Sequence, residues 1–206
     1  MPKAIKESKR RTQRIVTIED IKIVLAAINE GLENREFTKR QCQNYKALVL
    51  FGAYTGQRPI ATIRKLTVGQ FRAALRRDPP VLEVLPQQDK IRMQHYVPLH
   101  PCVVDIVTPL LDSRNRKDST RIFAREYFDK WARGEKIPLV RGGHFVCGDL
   151  RKFTEQYSDI IQWDQSNRAY ILTHGVSGVE WSHYRHPLPE YVYEVYMRNW
   201  NNTRLV

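Results

Sequence analysis

Arg58 stands directly behind a turn, Tyr54-Thr55-Gly56-Gln57-Arg58-Pro59, that closes the apolar run Ala47-Leu48-Val49-Leu50-Phe51-Gly52-Ala53. The run reads as a buried helix, stopped by its Thr-Gly step. A guanidinium is planar, stays charged and pairs bidentately with phosphate oxygens. Placed at the end of such a helix in a basic protein, Arg58 suits a phosphate site; a surface arginine after a glycine cap is the other reading. The 206-residue chain carries 34 Lys and Arg against 22 Asp and Glu, a formal charge of +12. Its sequence pI is about 9.8. Such an excess favours a polyanionic partner, most often nucleic acid, over a protein that is merely basic. The sequence has no GxxxxGK[ST] phosphate loop and no carboxylate cluster suited to a metal. Its three cysteines, Cys42, Cys102 and Cys147, are widely spaced and form no CxxC pair, which points to a reducing compartment. No apolar run reaches the ~18–20 residues of a membrane span, and the N-terminus has no secretory h-region.

The elements that must position Arg58 follow from periodicity and capping signals. Residues 1–16 form a basic arm or linker, with Lys3, Lys6, Lys9, Arg10, Arg11 and Arg14 opposed only by Glu7 within the first fourteen. Thr17 caps a helix whose inner face is Ile21, Val24, Leu25 and Ile28 and which Gly31 can end. Thr38-Lys39-Arg40-Gln41 opens the helix that runs to the Gly56 turn. Ile60, Ile63 and Leu66 fit a short helix, and Thr67 caps another to about Arg76. Asp78-Pro79-Pro80 breaks the helical pattern. Val81–Leu85 and Met93–Val97 then read as two strands of a hairpin ended by Pro98. A helix is expected from Pro101 to Leu111, with Val103, Val104, Ile106 and Val107 inward, and a loop from Ser113 to Thr120. The next helix is expected over Ile122–Arg133, with Phe123, Tyr127, Phe128 and Trp131 as its apolar side. Another covers Asp149–Ile161, burying Leu150, Phe153, Tyr157, Ile160 and Ile161. Ala169–Leu172 closes a short helix, and a Gly/Ser-punctuated loop spans Gly175–Ser182. A last helix, Leu188–Trp200, carries a stripe of Val192, Val195, Tyr196 and Trp200 that packs on its own domain or on a neighbouring subunit. The fold class is mainly α with a small antiparallel β-hairpin or sheet (α+β).

Four further residues fall into motifs. Lys90 lies in the hairpin turn, shortly before Val97-Pro98-Leu99. Arg151 opens a buried helix in Asp149-Leu150-Arg151-Lys152-Phe153. His174 ends the following short helix. Tyr184 comes about ten residues later, in Ser182-His183-Tyr184-Arg185. Together with Thr55-Gly56-Gln57-Arg58, in this order and over roughly Thr17 to Trp200, these motifs resemble the catalytic domain of the tyrosine recombinases, the DNA integrase family. The His-Tyr step followed by one amphipathic helix looks most like integrases of archaeal viruses and plasmids. The resemblance implies residues 17–206 as a catalytic domain. Its catalytic set would be Arg58, Lys90, Arg151, His174 and Tyr184, acting on double-stranded DNA in a self-associated, tetrameric synapse, without ATP, cofactor or metal. A cytoplasmic, DNA-associated protein is expected. The family's N-terminal helical domain has no counterpart before Thr17, so a truncated, split or minimal enzyme is expected.

The chemistry suits those residue types. Attack on a phosphodiester loads negative charge on the nonbridging oxygens, where two arginines and a histidine stabilise it. A tyrosine hydroxyl keeps the bond energy as a phosphotyrosyl ester. A phenol has a pKa of about 10, so cationic neighbours help it lose its proton. The departing 5′-oxygen needs a proton, which a hairpin lysine can give. Each residue also has a plain reading: Lys90 as a solvated turn lysine, Arg151 as a helix-surface charge, His174 as a helix cap. Tyr184 is one of ten tyrosines, and nearby Tyr191, Tyr193 and Tyr196 read as packing residues of the last helix. Two positions depart from the family pattern. Gly148 replaces a histidine three residues before Arg151, with His144 or Lys152 as alternative donors. Ala61 replaces an acidic support three residues after Arg58. Arg64, Lys65, Arg72, Arg76 and Arg77 read as a DNA-facing or simply solvated surface. The rival functions are a type IB topoisomerase-like nicking-closing enzyme and a catalytically inactive DNA-binding regulator of the same fold.

Overall fold

Three threonines start the first three helices: α1 (Ile18–Glu33), α2 (Lys39–Thr55) and α3 (Val68–Leu75). Thr17, Thr38 and Thr67 each accept from the backbone N–H three residues on, while Asp20, Gln41 and Gln70 reach back to the cap. Each start thereby satisfies two otherwise orphaned donors. The computed structural model describes residues 14–112, 116–174 and 187–206. The basic arm before Arg14, the Gly175–Ser182 loop and Tyr184 lie outside those residues.

α2 is the axis of the molecule. From Ala47 to Thr55 every residue is buried, as expected of a helix that is apolar all round. It packs against α1, against α4 (Pro101–Leu111) and against α6 (Gly148–Ile160). The α6 crossing is close: a Cβ on Gly52 would meet Leu150 Cδ1 at 2.6 Å. α2 ends at Gly56, whose φ of 62° is left-handed, a region glycine enters without a Cβ penalty. A side chain there would also strike Leu172, 2.4 Å from the Cβ position.

β1 (Val81–Val84) and β2 (His95–Pro98) pair antiparallel, Val81 opposite Pro98 and Val84 opposite His95. The second strand begins later than expected and includes Pro98, because the Met93 N–H is taken by Asp89 Oδ2 in the connecting loop. That loop enters through a 3₁₀ turn, Pro86–Gln88. Lys65 Nζ donates to the Gln87 carbonyl, Gln88 Nε2 donates to the Lys65 carbonyl, and Gln88 and Gln70 bond each other.

α5 (Arg125–Glu135) is shorter than expected. Buried Asn44 of α2 takes the backbone of the preceding segment, donating to Ile122 O and accepting from Ala124 N–H. Ile122 and Phe123 are therefore core residues on non-helical chain, and Tyr127 is 72% exposed. Ile160 and Ile60 are likewise exposed. In α4 the buried residues are Val103, Val107, Leu110 and Leu111, with Val104 and Ile106 only partly covered. α1 runs past Gly31 to Glu33, because that glycine packs against Phe37 inside the core.

α7 (Gln165–Leu172) and α8 (Pro189–Trp200) complete the described elements. α8 packs on its own chain across β2. Tyr196 Oη donates to the Tyr54 carbonyl, and Tyr54 Oη donates to the Thr203 carbonyl. At the other end, Val16 N–H donates to Gln156 Oε1, Gln156 Nε2 donates to the Arg14 carbonyl, and Arg14 pairs with Asp149 at 2.6 Å. Arg14 also donates to the His144 carbonyl. Among the described residues no helix is long and apolar enough to cross a membrane.

Candidate active site

Helix ends assemble the site. The left-handed Gly56 turn throws Arg58 off the end of α2, and the first turns of α6 carry Arg151 to the same place. Both guanidiniums donate to the Leu172 carbonyl, Arg58 Nη1 at 3.4 Å and Arg151 Nη2 at 3.0 Å. Arg151 Nη1 also donates to the Gly56 carbonyl at 3.1 Å, and its Nε to Glu155 Oε1 at 2.9 Å. Burial pushes the Arg151 pKa down, and the neighbouring Arg58 charge adds to the effect. Two cations are thus held side by side by carbonyls and carboxylates, with side-chain exposures of 21% for Arg58 and 12% for Arg151. Such an array is preorganised for an anion.

Lys90 and His174 reach this place through their neighbours. Asp89, one residue before Lys90, is buried, with Oδ1 3.6 Å from Arg58 Nη1. Thr173, one residue before His174, accepts from Arg58 Nη1 at 2.8 Å and donates to Asp89 Oδ1 at 2.9 Å. Lys90 and His174 are themselves exposed. Tyr184 lies outside the described residues, so four of the five expected site residues can be placed. Asp89, Thr173 and Glu155 were not singled out from the sequence. Asp89 had one legible signal, an Asp in a hairpin loop beside a candidate lysine, where an Asx-type turn is common.

Gly148 opens α6. A Cβ built on it meets nothing within 4 Å. A 250 Å³ cavity lined by Pro59, Ile60, Arg125, Asp129 and Gly148 lies beside it. Lys152 points to Asp149, 3.7 Å away. The expected basic surface is largely engaged within the chain. Arg72 bonds the Leu111 and Arg116 carbonyls and Asp118. Arg77 pairs with Glu83 and lies over the Tyr96 ring, Arg64 faces Glu126, and Lys65 holds the 3₁₀ turn. Arg76 is exposed.

Beneath the arginines sits His95 of β2, fully buried. Its Nδ1 lies 3.1 Å from the Met93 carbonyl and its Nε2 3.4 Å from Gln57 Oε1. Burial lowers its pKa to about 4, opposed by the Met93 bond and Asp89 and reinforced by Arg58 and Arg151. Burial also lowers His100, which accepts from the Cys102 N–H at the start of α4, to about 4. Both imidazoles are neutral in the folded protein at neutral pH, whereas the unfolded chain takes up protons below about pH 6.5. Stability is therefore full above pH 6.5 and falls as pH drops from there towards 4. Each histidine is expected to contribute about 1–2 kcal/mol of that loss between pH 7 and pH 5. Urea midpoints at the two pH values measure it. His95→Gln should shrink the drop by roughly half of the histidine share, and an unchanged drop would rule His95 out as a source.

No protein-family model matches the chain, and no curated protein matches its sequence. Two solved structures share its fold. The integrase from mycobacterium phage Brujita superposes with a TM-score of 0.63 at 16% identity, over 94% of this chain and 60% of the integrase. The XerA recombinase superposes with a TM-score of 0.54 at 15% identity, over 97% of this chain and 68% of the recombinase. The chain thus spans about 60% of the length of the phage integrase. At these identities the likeness is one of fold: a mostly helical domain with a small two-stranded antiparallel sheet among the described residues, shared with the phage integrase and the recombinase.

Proposed function

We propose that this chain is the catalytic domain of a site-specific DNA recombinase of the integrase type. The observation that carries the reading is the shared Leu172 carbonyl. It brings Arg58 and Arg151, far apart in sequence, to one point, where Asp89 and Thr173, the chain neighbours of Lys90 and His174, also meet Arg58. In the reaction the Tyr184 phenol gives its proton to water with the help of the arginine charges. Its oxygen bonds the phosphorus while Arg58, Arg151 and His174 hold the nonbridging oxygens. The P–O5′ bond breaks, and the departing O5′ takes a proton from Lys90. A 3′-phosphotyrosyl ester remains, and a new 5′-hydroxyl reverses the step. Bond exchange of this kind is near neutral in energy and needs no ATP. The partner is double-stranded DNA bearing the attachment site, and paired sites bring several protomers together as a tetramer. The His183-Tyr184 step followed by a single amphipathic helix is our ground for placing the protein among integrases of archaeal viruses and plasmids.

Covalent trapping tests this reading. The protein is incubated with a pool of duplexes randomised at the centre and nicked, so that cleavage releases a short fragment and cannot reverse. Complexes that survive denaturation are digested, and the attachment site is read by mass spectrometry. A DNA adduct on Tyr184 is the expected result. DNA binding without any adduct would leave a DNA-binding regulator of this fold in its place.

A further inference from the structure

Asp89 makes more contacts than a turn residue needs. Oδ2 accepts from the Ile91 N–H at 3.0 Å and the Met93 N–H at 3.3 Å, closing the loop that presents Lys90. Oδ1 accepts from the Thr173 hydroxyl and faces Arg58. Thr173 is itself an outlier, a β-branched residue with φ of 49°. That left-handed conformation is costly for such a side chain and persists only where the surroundings fix it. Here they do: its hydroxyl is bonded on one side by Arg58 and on the other by Asp89. One carboxylate therefore ties together the three segments that carry Lys90, Arg58 and His174.

We propose that Asp89 is the positioning residue of the site, setting the Lys90 loop and the Arg58 guanidinium in one register. It supplies from the hairpin the carboxylate support that Ala61 does not. This rests on the recombinase reading above. The loop entry does not depend on Asp89, because Gln87 and Gln88 are pinned to Lys65, ahead of α3, and to Gln70 on α3. Loss of the carboxylate thus frees Lys90 and Arg58 while the hairpin stays folded. A displacement of about 1 Å in a catalytic group is enough to cost about 10²-fold in rate.

Asp89→Asn keeps the size and the acceptor for the loop N–H groups, and turns a donor towards Arg58 and Thr173. Single-turnover cleavage is measured on a nicked duplex and on the same duplex with sulfur in place of the bridging 5′-oxygen. A thiolate leaves without a proton donor, so this second substrate does not need Lys90. On the oxygen duplex Asp89→Asn is expected to be about 10²-fold slower than the unaltered protein. On the sulfur duplex the share of that loss that comes from Lys90 should be regained, as it should be for Lys90→Ala, while the share that comes from Arg58 remains. An unimpaired Asp89→Asn, or a loss of equal size on both duplexes, overturns the proposal, since a merely structural role depresses both alike. Should Asp89→Asn fail to fold, Asp89→Ser, which keeps a short turn-capping acceptor without charge, is read the same way. If the unaltered protein cleaves neither duplex, it is the recombinase reading that fails.

Discussion

Arg151→Ala is expected to slow strand cleavage about 10³-fold while changing DNA affinity only a few-fold. The side chain is largely buried and its three nitrogens are committed to Glu155, Gly56 and Leu172. Its orientation is therefore fixed before any substrate arrives, and no reorganisation is needed when charge develops. Under the proposed function the duplex is held over many phosphates, so the loss is expected to fall on the chemical step. Arg151→Lys retains the charge but is a point donor that cannot span both carbonyls; a loss of about 10²-fold is expected for it. Single-turnover rates on the nicked duplex, with binding measured in parallel, decide the matter. Cleavage by Arg151→Ala at the unaltered rate would remove this residue from the site. The double variant with Arg58→Ala should be little worse than either alone, because the two act as one anion-holding unit.

Trp200→Ala carries the largest expected stability loss, about 3–5 kcal/mol. Trp200 is fully buried at the end of α8. Its ring stacks on Tyr196 with centroids 5.6 Å apart and meets Tyr54, Tyr157 and Trp163 at 5.8, 5.5 and 5.5 Å. Those partners come from α2, α6, the chain before α7 and α8, so one truncation opens a cavity where four parts of the fold meet. The indole nitrogen is buried without a hydrogen-bond partner among the described residues, so the ring and not its N–H supplies the stability. Trp200→Phe should accordingly cost about 1–2 kcal/mol. Urea unfolding at pH 7 measures both, through a shift in midpoint at constant slope. A Trp200→Ala midpoint within error of the unaltered protein would mean that α8 does not contribute to the core.

The parts of this fold that could be read from sequence are those written in local chemistry. Three Thr starts, the Thr-Gly stop of α2 and the Asp78-Pro79-Pro80 break are each set by residues within a few positions. Apolar periodicity marked the buried face of α6 at Leu150 and Phe153. What escaped was set from far away. Ile122 and Phe123 continue an apolar helical pattern, yet Asn44, distant in sequence, holds their backbone out of a helix. Tyr127 and Ile160 fit the period of a buried face but are exposed, because no element among the described residues covers them there. In the site, Arg58 and Arg151 were legible from their motifs. The carboxylate supporting Arg58 was not, since it arrives from the hairpin and not from position 61. Nor was His95, which reads as an ordinary strand residue until the arginines are placed above it. The basic residues on and after α3 read as a DNA-facing or solvated surface, while Arg72 and Arg77 bond carbonyls and carboxylates of the same chain.

The staple between residues 14–16 and α6 has a mechanical meaning. Two hydrogen bonds to Gln156 and an ion pair to Asp149 join the two stretches of chain. Any pull along the chain ahead of Arg14 loads the first turn of α6, two residues from Arg151, before it loads the rest of the domain. The partly buried Arg14–Asp149 pair is the first link to bear that load. Arg151 thus stands two residues from the ion pair that ties the start of the described chain to the domain.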